Sequence, residues 1–368
     1  MHTIAKKIEN AQNKVKYYLY NPLDEKKYEK KIFYKEKFKY KNLLGIGTFG
    51  TVLLSDYITD DVTNCYAVKC MPKSSCMNIK KVIEEVIILK ILEHPFIIKL
   101  EGTFQTRNLL CIVTEPLLYG DLYMVIYDIM NKDMQFELIM FYMSSLVIVM
   151  DYIHSKGIIY RDLKPENIML DANGYIKLID MGLAKKIRYV NEYTTNDDVI
   201  VEFVDEKTYT LCGTPEYICP ETILKKGYNK SVDIWGLGII LYEMFLKKTP
   251  FDANNITQLF QNILNVLKIN FSLNKIDKKK IANEDVENLL VELLVGTPSK
   301  RLGMKNNTND IFNHKLFNDS KEMINCINNR TYIPEYVPNI IDNSMYQKIT
   351  FPPVVPLYTG DNSIFDDF

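Results

Sequence analysis

The sequence lacks three features that would assign it to other classes of protein: a charge imbalance, paired cysteines and long uncharged runs. Its 45 basic and 46 acidic side chains give no overall positive field that would attract nucleic acid. The seven cysteines include no close Cys-x-x-Cys pair, which is typical of reduced thiols. No apolar run approaches the length of a membrane span, and the lysine-rich start leads into no signal-peptide core. We therefore expect a cytoplasmic protein, able to enter the nucleus, with no membrane span and no nucleic-acid partner.

The distribution of residue types along the 368 positions predicts two lobes and a tail. Residues 1–37 are polar and lysine-rich and are interpreted as a basic helical extension. Short strand patterns and one helix between Ile79 and Leu92 then predict a small sheet-rich lobe. Beyond Gly120 the pattern is mostly helical, with buried helices at 136–155 and 231–245. The acid-rich stretch 186–206 is interpreted as an insertion that loops out, and the proline-rich residues after Phe317 as an extended tail.

The eight residues Tyr160-Arg-Asp-Leu-Lys-Pro-Glu-Asn167 carry the clearest chemical signal. They place a carboxylate (Asp162), an amine (Lys164) and an amide (Asn167) on one short loop. Those groups can orient a hydroxyl, steady a phosphoryl group in transfer and hold a metal ion. Asp180 follows directly before Met181-Gly182 and is suited to the same metal cluster. A lone Arg-Asp pair is a common surface feature, but the ordered spacing of all these parts predicts a phosphotransferase.

A second group of motifs lies before this loop. Gly45-Ile-Gly47-Thr-Phe-Gly50-Thr-Val52 is followed by a strand-like sequence, which favours a hairpin whose amides bind phosphates over the helix-opening loop of a dinucleotide fold. Lys69 ends a strand and can pair with phosphate oxygens. Its ammonium needs a carboxylate partner in a cleft; helix register favours Glu85, with the adjacent Glu84 as the alternative.

Together these motifs resemble those of eukaryotic protein kinases, from about Phe38 to Phe317. The sequence is most similar to the cyclic-nucleotide-regulated branch of the AGC group: cyclic-AMP-dependent kinases first, cyclic-GMP-dependent kinases next. Thr210-Leu-Cys-Gly-Thr-Pro-Glu-Tyr217 matches the activation segment of that branch, and Phe365-Asp-Asp-Phe368 its C-terminal end. The resemblance implies an α+β bilobal kinase fold with a small β-rich lobe (about 38–116), a larger helical lobe (about 117–317) and an AGC-type tail (318–368).

The resemblance also implies a role for each matching position. Asp162, Lys164, Lys69 and Glu85 would be catalytic, and Asn167 and Asp180 would hold two Mg²⁺ ions on ATP. Asp121, Glu166 and Glu243 would receive basic residues that precede the phosphoacceptor of a protein substrate. Thr210 would be phosphorylated, facing Arg161, Lys185 and Lys81. The nucleotide would be bound by Leu44, Gly45, Ile46, Gly47, Thr48, Phe49, Gly50, Thr51, Val52, Ala67, Lys69, Thr114, Glu115, Leu117 and Met169.

Further implied roles are structural or regulatory. Glu221 would pair with Arg301, Asp233 would hold the catalytic loop, and Phe365 and Phe368 would dock on the small lobe. Thr210 would be modified by an upstream kinase or by the chain itself. Any control by cyclic nucleotide would come from a separate regulatory subunit.

Three departures from the family pattern stand out. Met181 replaces the usual phenylalanine, and we expect it to fill the same apolar space, beside Leu89, Leu100 and Tyr160. The insertion 186–206 lengthens the path from Asp180 to Thr210 in the activation segment. The tail lacks the usual tyrosine-containing motif that caps the adenine, and we expect Tyr346 to take that role. The function indicated is a serine/threonine protein kinase in cyclic-nucleotide signalling; the alternatives are another AGC-group kinase and a pseudokinase scaffold.

Overall fold

The structure is a computed structural model that describes residues 32–47, 50–75, 79–129, 133–195, 198–268, 271, 281, 283–341, 347–348, 355–365 and 368. Most of the N-terminal extension and Thr48, Phe49, Tyr346, Asp366 and Asp367 therefore lie outside the described residues. Of the extension, the structure describes Ile32 to Lys37, which end in a single 3-10 turn at Lys35–Lys37.

The small lobe is a five-stranded antiparallel sheet with one long helix. Its strands lie in the order β1-β2-β3-β5-β4. They are β1 (Phe38–Gly47), β2 (Gly50–Ile58), β3 (Thr63–Pro72), β4 (Leu100–Gln105) and β5 (Leu109–Thr114). The helix α1 (Ile79–Ile91) follows β3 and buries Glu85 together with four apolar residues. Strand β4 was missing from the sequence interpretation because only Leu100 and Phe104 of its six residues are buried apolar side chains.

The large lobe is built around two buried helices. They are α3 (Phe136–Ser155) and α5 (Ser231–Leu246), both apolar on nearly all sides. The remaining helices are α2 (Leu122–Met124, continued by a π turn over Val125–Ile129), α4 (Pro220–Ile223), α6 (Ile256–Asn265), α7 (Glu284–Leu293) and α8 (Lys321–Asn328). The predicted α+β fold, a small sheet followed by a mostly helical region, is confirmed.

Helix α3 corrects one statement made from the sequence. In the described part of the chain it alone is long and apolar enough to cross a membrane by length and composition. An apolar run therefore does reach that length, although 78% of it is buried inside the fold. Packing in the core of the large lobe accounts for its apolar surface.

Short strands between α3 and α4 carry the functional loops. They are β6 (Ile158–Ile159), β7 (Ile168–Leu170), β8 (Ile176–Leu178) and β9 (Lys185–Lys186). Strand β6 pairs with β9, and β7 pairs with β8. The loop Tyr160–Asn167 is therefore fixed at both ends by a strand pair. Helix α3 ends at a turn where Gly157 has φ 69°, and a Cβ there would meet the side chain of Arg188.

Two segments differ from the sequence interpretation. The insertion 186–206 contains a regular hairpin of β10 (Arg188–Thr195) and β11 (Asp198–Asp205), which pair antiparallel from Arg188↔Asp205 to Thr195↔Asp198. The backbone pairs continuously over the eight residues of each strand, a regularity that the acid content of the sequence obscured. The tail after Phe317 begins with helix α8, whose Ile327 is buried, before the extended segment starts.

Candidate active site

The catalytic loop brings four polar side chains into one hydrogen-bonded group. Asp162 Oδ2 accepts from Asn167 Nδ2 at 2.8 Å, and Asp162 Oδ1 accepts from Thr214 Oγ1 at 3.1 Å. Lys164 Nζ donates to Thr214 Oγ1 at 2.9 Å and lies 3.4 Å from Asp162 Oδ2. A hydroxyl placed at this carboxylate would have an acceptor and an ammonium beside it, the pair that phosphoryl transfer requires.

A buried carboxylate fixes the loop from below. Asp233, only 1% exposed, accepts from the backbone amides of Tyr160 at 2.9 Å and Arg161 at 2.8 Å. Its Oδ2 also contacts His154 Nε2 at 2.8 Å. Arg161 has φ 70°, a strained conformation for a residue with a side chain. The two amide hydrogen bonds to Asp233 therefore stabilise a backbone conformation that is unfavourable by itself.

An ion pair links β3 to α1. Lys69 Nζ lies 2.7 Å from Glu85 Oε1 and 3.8 Å from Asp180 Oδ1. Burial alone would lower the pKa of Lys69, but the two carboxylates raise it above its ordinary value and keep the ammonium charged. Glu84, the alternative partner, is exposed. The geometry therefore selects Glu85 and brings Lys69 beside Asp180.

The two residues expected to hold magnesium, Asn167 and Asp180, lie on neighbouring segments of backbone. Asp180 is 38% exposed at its side chain and accepts from the Gly182 amide at 2.8 Å. The backbone of Asn167 accepts from Ile179 at 3.2 Å, which places the amide residue next to this carboxylate. Carboxylate and amide oxygens suit Mg²⁺, which binds proteins through one or two carboxylates and completes its shell with phosphates and water. The residues present fit the ion.

Most of the residues expected to bind the nucleotide lie on β1, β2, β3, β5 and β7. Val52 is the register partner of Lys69, and Ala67 the partner of Thr114. A Cβ on Gly50 would collide with the carbonyl of Cys70, so glycine is required where the hairpin crosses β3. Of the other expected nucleotide contacts in the described residues, Leu117 is buried, Met169 is half-buried and Ile46 is 78% exposed at the hairpin tip.

The segment between the lobes has a contact that the motifs did not reveal. The Glu115 carboxylate accepts from Lys177 Nζ at 2.5 Å and from the Lys99 amide at 2.8 Å. Because Lys177 is on β8, this bond ties the connecting segment to the large lobe.

The activation segment places Thr210 at the surface near a cationic group. Tyr228 donates its hydroxyl to the Thr210 carbonyl at 2.6 Å and accepts from Arg161 Nη1 at 3.3 Å. Lys185 Nζ contacts the buried Thr208 at 3.1 Å rather than Thr210 itself. Lys81 is exposed on α1. Arg161 is thus connected to the backbone of Thr210 through the Tyr228 hydroxyl.

A buried ion pair closes the base of this segment. Arg301, 1% exposed, donates to both oxygens of Glu221 at 2.6 and 2.7 Å, and its guanidinium lies 4.9 Å from the Trp235 ring. Burial would raise the pKa of Glu221, but the bonds from Arg301 and Ser231 lower it below its ordinary value. The carboxylate therefore stays ionised.

The three acids expected to bind substrate have different surroundings. Glu243 is 2% exposed and accepts from Tyr127 and Tyr217 hydroxyls, each at 2.6 Å. Burial raises the pKa of Glu243, the tyrosines oppose the rise, and Glu166 adds to it. Glu166 is exposed close by. Asp121 instead caps α2, accepting from the Met124 amide at 2.8 Å, so one of its oxygens is already engaged.

The last residues of the chain dock on the small lobe, as predicted. Phe365 and Phe368 are 1% and 8% exposed. Thr103 donates to the Phe368 carbonyl at 2.8 Å and Gln105 to that of Phe365 at 3.0 Å. Lys73 Nζ lies 4.4 Å from the Phe365 ring. Met181 is 1% exposed in the same core cluster as Leu89, Leu100 and Tyr160, the apolar space expected for it.

Sequence reasoning missed several contributors to the site: Thr214, Tyr127, Tyr217, Lys177, Lys73 and His154. Thr214 and Tyr217 lie inside the activation-segment motif, so the sequence could have indicated that their hydroxyls approach the catalytic loop. No sequence pattern indicated a role for Tyr127, Lys177 or Lys73, because their partners are 116, 62 and 289 residues away.

Comparison with known proteins agrees with this geometry. Residues 38–317 match the protein kinase domain family, and the chain belongs to that family. Cyclic-AMP-dependent protein kinase type 3 of Saccharomyces cerevisiae is 36% identical over 288 residues, 77% of this chain and 65% of the yeast protein. A Caenorhabditis elegans cyclic-AMP-dependent protein kinase, catalytic subunit-like, is 32% identical over 338 residues, 88% of this chain and 71% of that protein.

A cyclic-GMP-dependent relative is also similar. Cyclic-GMP-dependent protein kinase 2 of Homo sapiens is 37% identical over 279 residues, 75% of this chain and 33% of the human protein. The aligned region thus spans under two thirds of the yeast protein and a third of the human one. The resemblance to cyclic-nucleotide-dependent kinases is confirmed, as is the class of enzyme: a protein kinase similar to the cyclic-AMP-dependent enzymes.

Proposed function

We propose that this protein transfers the γ-phosphate of ATP to serine or threonine residues of proteins that carry basic residues shortly before the phosphoacceptor. The observation that carries the proposal is the bonded group of Asp162, Lys164, Asn167 and Thr214. An acceptor hydroxyl that replaces Thr214 at Asp162 Oδ1 is oriented by that carboxylate, which receives its proton late in transfer. Lys164 supplies positive charge to the phosphoryl group in flight.

The nucleotide is held mainly by charge. Lys69, kept charged and fixed by Glu85, would bind the α- and β-phosphates, and the β1–β2 hairpin would cover them. Asn167 and Asp180 would hold two Mg²⁺ ions, which neutralise phosphate charge when bound. Val52, Ala67 and Met169 would enclose the adenine. Glu115 and Leu117 would supply its backbone contacts.

The experiment is single-turnover phosphorylation of a serine peptide with wild type and Asp162→Asn. The variant should bind ATP normally, because its nucleotide contacts lie elsewhere, and should lose about 10³-fold or more in turnover as expected for a lost base and positioning group. Thr106→Ser, on the small lobe, serves as the matched control. Wild-type turnover in Asp162→Asn would contradict the proposal.

Recognition of basic substrates would depend on Glu166, Glu243 and Asp121. The raised pKa of Glu243 means that its carboxylate is protonated at a higher pH than an exposed glutamate and attracts a cation only above that pKa. We therefore expect the preference for basic peptides to weaken as pH falls. Glu243→Gln should lower kcat/KM for a basic peptide at least tenfold at neutral pH and flatten the pH profile. An unchanged ratio of basic to neutral peptides would refute this role.

Activation would depend on phosphorylation of Thr210, by an upstream kinase or by the chain itself. The added charge would draw Arg161 from the Tyr228 hydroxyl, with Lys185 and Lys81 nearby. Mass spectrometry of fully active enzyme should find phosphate on Thr210. The similarity to cyclic-nucleotide-dependent kinases supports a separate cyclic-nucleotide-binding regulatory subunit. A pull-down with and without cyclic AMP tests that partner.

A further inference from the structure

A polar cavity in the large lobe shares no residue with the catalytic group. Its volume is about 480 Å³, within the range of small-molecule pockets. Its walls come from the end of α3, the start of β10, the loop before α5 and the loop before Asp310. The polar side chains that line it include Asp151, His154, Arg188, Lys230, Asn306 and Thr308.

Two cations lie on different walls of this cavity. Lys230 Nζ donates to the Asn306 carbonyl at 3.3 Å, and Arg188 Nη1 donates to the Ser155 carbonyl at 3.2 Å. These bonds hold each cation at the wall. The Asp151 carboxylate accepts from the Asn309 amide at 3.1 Å, which occupies one of its oxygens. The lining is therefore suited to a ligand with several acceptor oxygens and negative charge.

The floor of the cavity is connected to the catalytic loop by hydrogen bonds. Thr308 Oγ1 lies 2.6 Å from His154 Nδ1, and His154 Nε2 lies 2.8 Å from Asp233 Oδ2. Asp233 in turn holds the amides of Tyr160 and Arg161. His154, Thr308 and Asp233 are all buried, so an unbroken chain of buried hydrogen bonds joins the cavity floor to the backbone beside Asp162.

The insertion contributes a wall of the same cavity. The amides of Ile187 and Arg188 both donate to the Gly157 carbonyl, at 2.8 and 3.1 Å. The Glu206 amide donates to Ile187 at 2.7 Å and closes the base of the β10–β11 hairpin. The backbone of Arg188 is thereby held at a fixed place on the rim of the cavity.

We propose that this cavity binds a phosphate monoester, and that the catalytic loop senses the ligand through Thr308, His154 and Asp233. Arg188 and Lys230 bind the phosphate oxygens, and the other polar side chains of the lining surround the rest of the ligand. The ligand is either a free phosphomonoester or a phosphorylated side chain of a peptide. Binding does not depend on the proposed kinase activity; only the effect on turnover does.

The binding test uses O-phosphoserine as the probe, titrated into the full chain by calorimetry with an ATP-competitive inhibitor filling the nucleotide cleft. Hydrogen–deuterium exchange should show protection at residues 304–308. Lys230→Gln should weaken binding at least tenfold without lowering the melting temperature, and Lys226→Gln, an exposed lysine of the same lobe, should have no effect. Equal binding by Lys230→Gln, or protection confined to the catalytic cleft, would overturn the proposal. If a phosphoserine peptide binds more tightly than free phosphoserine, the natural ligand is a phosphorylated peptide. If the peptide binds more weakly, the natural ligand is a free phosphomonoester.

The connection to the loop is tested separately with Thr308→Val, which keeps the shape but removes the hydroxyl. This variant should bind phosphoserine within threefold of wild type, but phosphoserine should no longer change its kcat. If phosphoserine alters kcat equally in both proteins, Thr308 does not transmit the signal. The two proposals can fail separately. If the wild-type chain showed no kinase activity but bound phosphoserine, and Lys230→Gln lost that binding, the cavity proposal would be supported and the proposed function refuted.

Discussion

Among single residues, Arg301 is the one whose loss should cost the most stability. It is buried, paired with Glu221 through two bonds, and stacked on Trp235. Arg301→Met leaves a buried carboxylate unpaired and should lower the free energy of unfolding by about 3–5 kcal/mol. The double variant Glu221→Leu/Arg301→Met should recover most of that loss in urea unfolding. An equally destabilised double variant would show that the pair contributes more than charge compensation.

The same pair predicts a dependence on pH. The folded pKa of Glu221 is lowered from its ordinary value of 4.5. Its ionised form therefore stabilises the fold above the unfolded pKa, and this contribution is lost as pH falls through the folded pKa. In urea unfolding, the free energy of unfolding of wild type should fall relative to that of the double variant as pH drops below about 4.5. A wild type that gains stability relative to the double variant on acidification would contradict the assignment.

Thr114 is the residue that we expect to limit the depth of the nucleotide cleft. It ends β5 opposite Ala67 and is half-buried, and its side chain is small. Inhibitors with a bulky group directed behind the adenine should bind wild type. Thr114→Met should weaken them by about 1–3 kcal/mol through overlap, whereas Thr114→Ser should not. Equal affinity for all three proteins would show that the group points elsewhere.

At the scale of elements, the C-terminal aromatic residues should stabilise helix α1. Lys73 bonds Asn362 and Gln105, each at 2.7 Å, beside the buried Phe365 ring, at the turn that follows β3 and precedes α1. Burying two phenylalanine rings is worth about 1.5–3 kcal/mol each. Phe365→Ala/Phe368→Ala should lower both the melting temperature and turnover, while Leu357→Ala, at a side chain 55% exposed, should change neither. A double variant that melts and turns over like wild type would show that docking does not support the helix.

The β10–β11 hairpin should be dispensable for folding. Its two strands pair with each other, and its base is closed by the Glu206 bond to Ile187. Replacing residues 189–204 by a short glycine linker should leave the melting temperature within about 2 °C, because surface loops change stability little with length. Gly157→Ala is the comparison: it forces a Cβ against Arg188 at φ 69° and should destabilise clearly. A large loss on hairpin replacement would mean that the hairpin packs on the lobe.

For the whole molecule, nucleotide and metal should stabilise the fold together. A non-hydrolysable ATP analogue with Mg²⁺ binds only the folded cleft, so at 100 times its Kd it should add about 2.7 kcal/mol to the free energy of unfolding. Thermal melting with and without EDTA measures the share that depends on the metal. Asp180→Asn should remove that share and retain part of the stabilisation by nucleotide alone. An EDTA-insensitive shift in wild type would argue against a metal at Asp180.

Much of the fold and of the catalytic loop could be predicted from the sequence, because those features are local. Asp162, Lys164 and Asn167 stand within six positions, so any fold of that loop brings them together. Helical spacing placed Glu85 on the buried face of α1. Helix α3 was predicted with its observed limits because an apolar run ended by a glycine leaves few alternatives. Strand β4 and helix α8 escaped because their apolar patterns are too sparse to identify.

Only the tertiary structure decided which distant residues share a function. The hydroxyls of Tyr127 and Tyr217 both donate to Glu243, and Tyr127 is 116 positions away from it. Thr308 contacts His154 across 154 positions of sequence, and His154 in turn contacts Asp233. Thr103 meets Phe368 across 265 positions. Periodicity and motifs report the conformation of neighbours along the chain. A contact between distant positions forms only when the packing of all the intervening elements outweighs the entropy of closing the loop between them, and no short stretch of sequence contains that information.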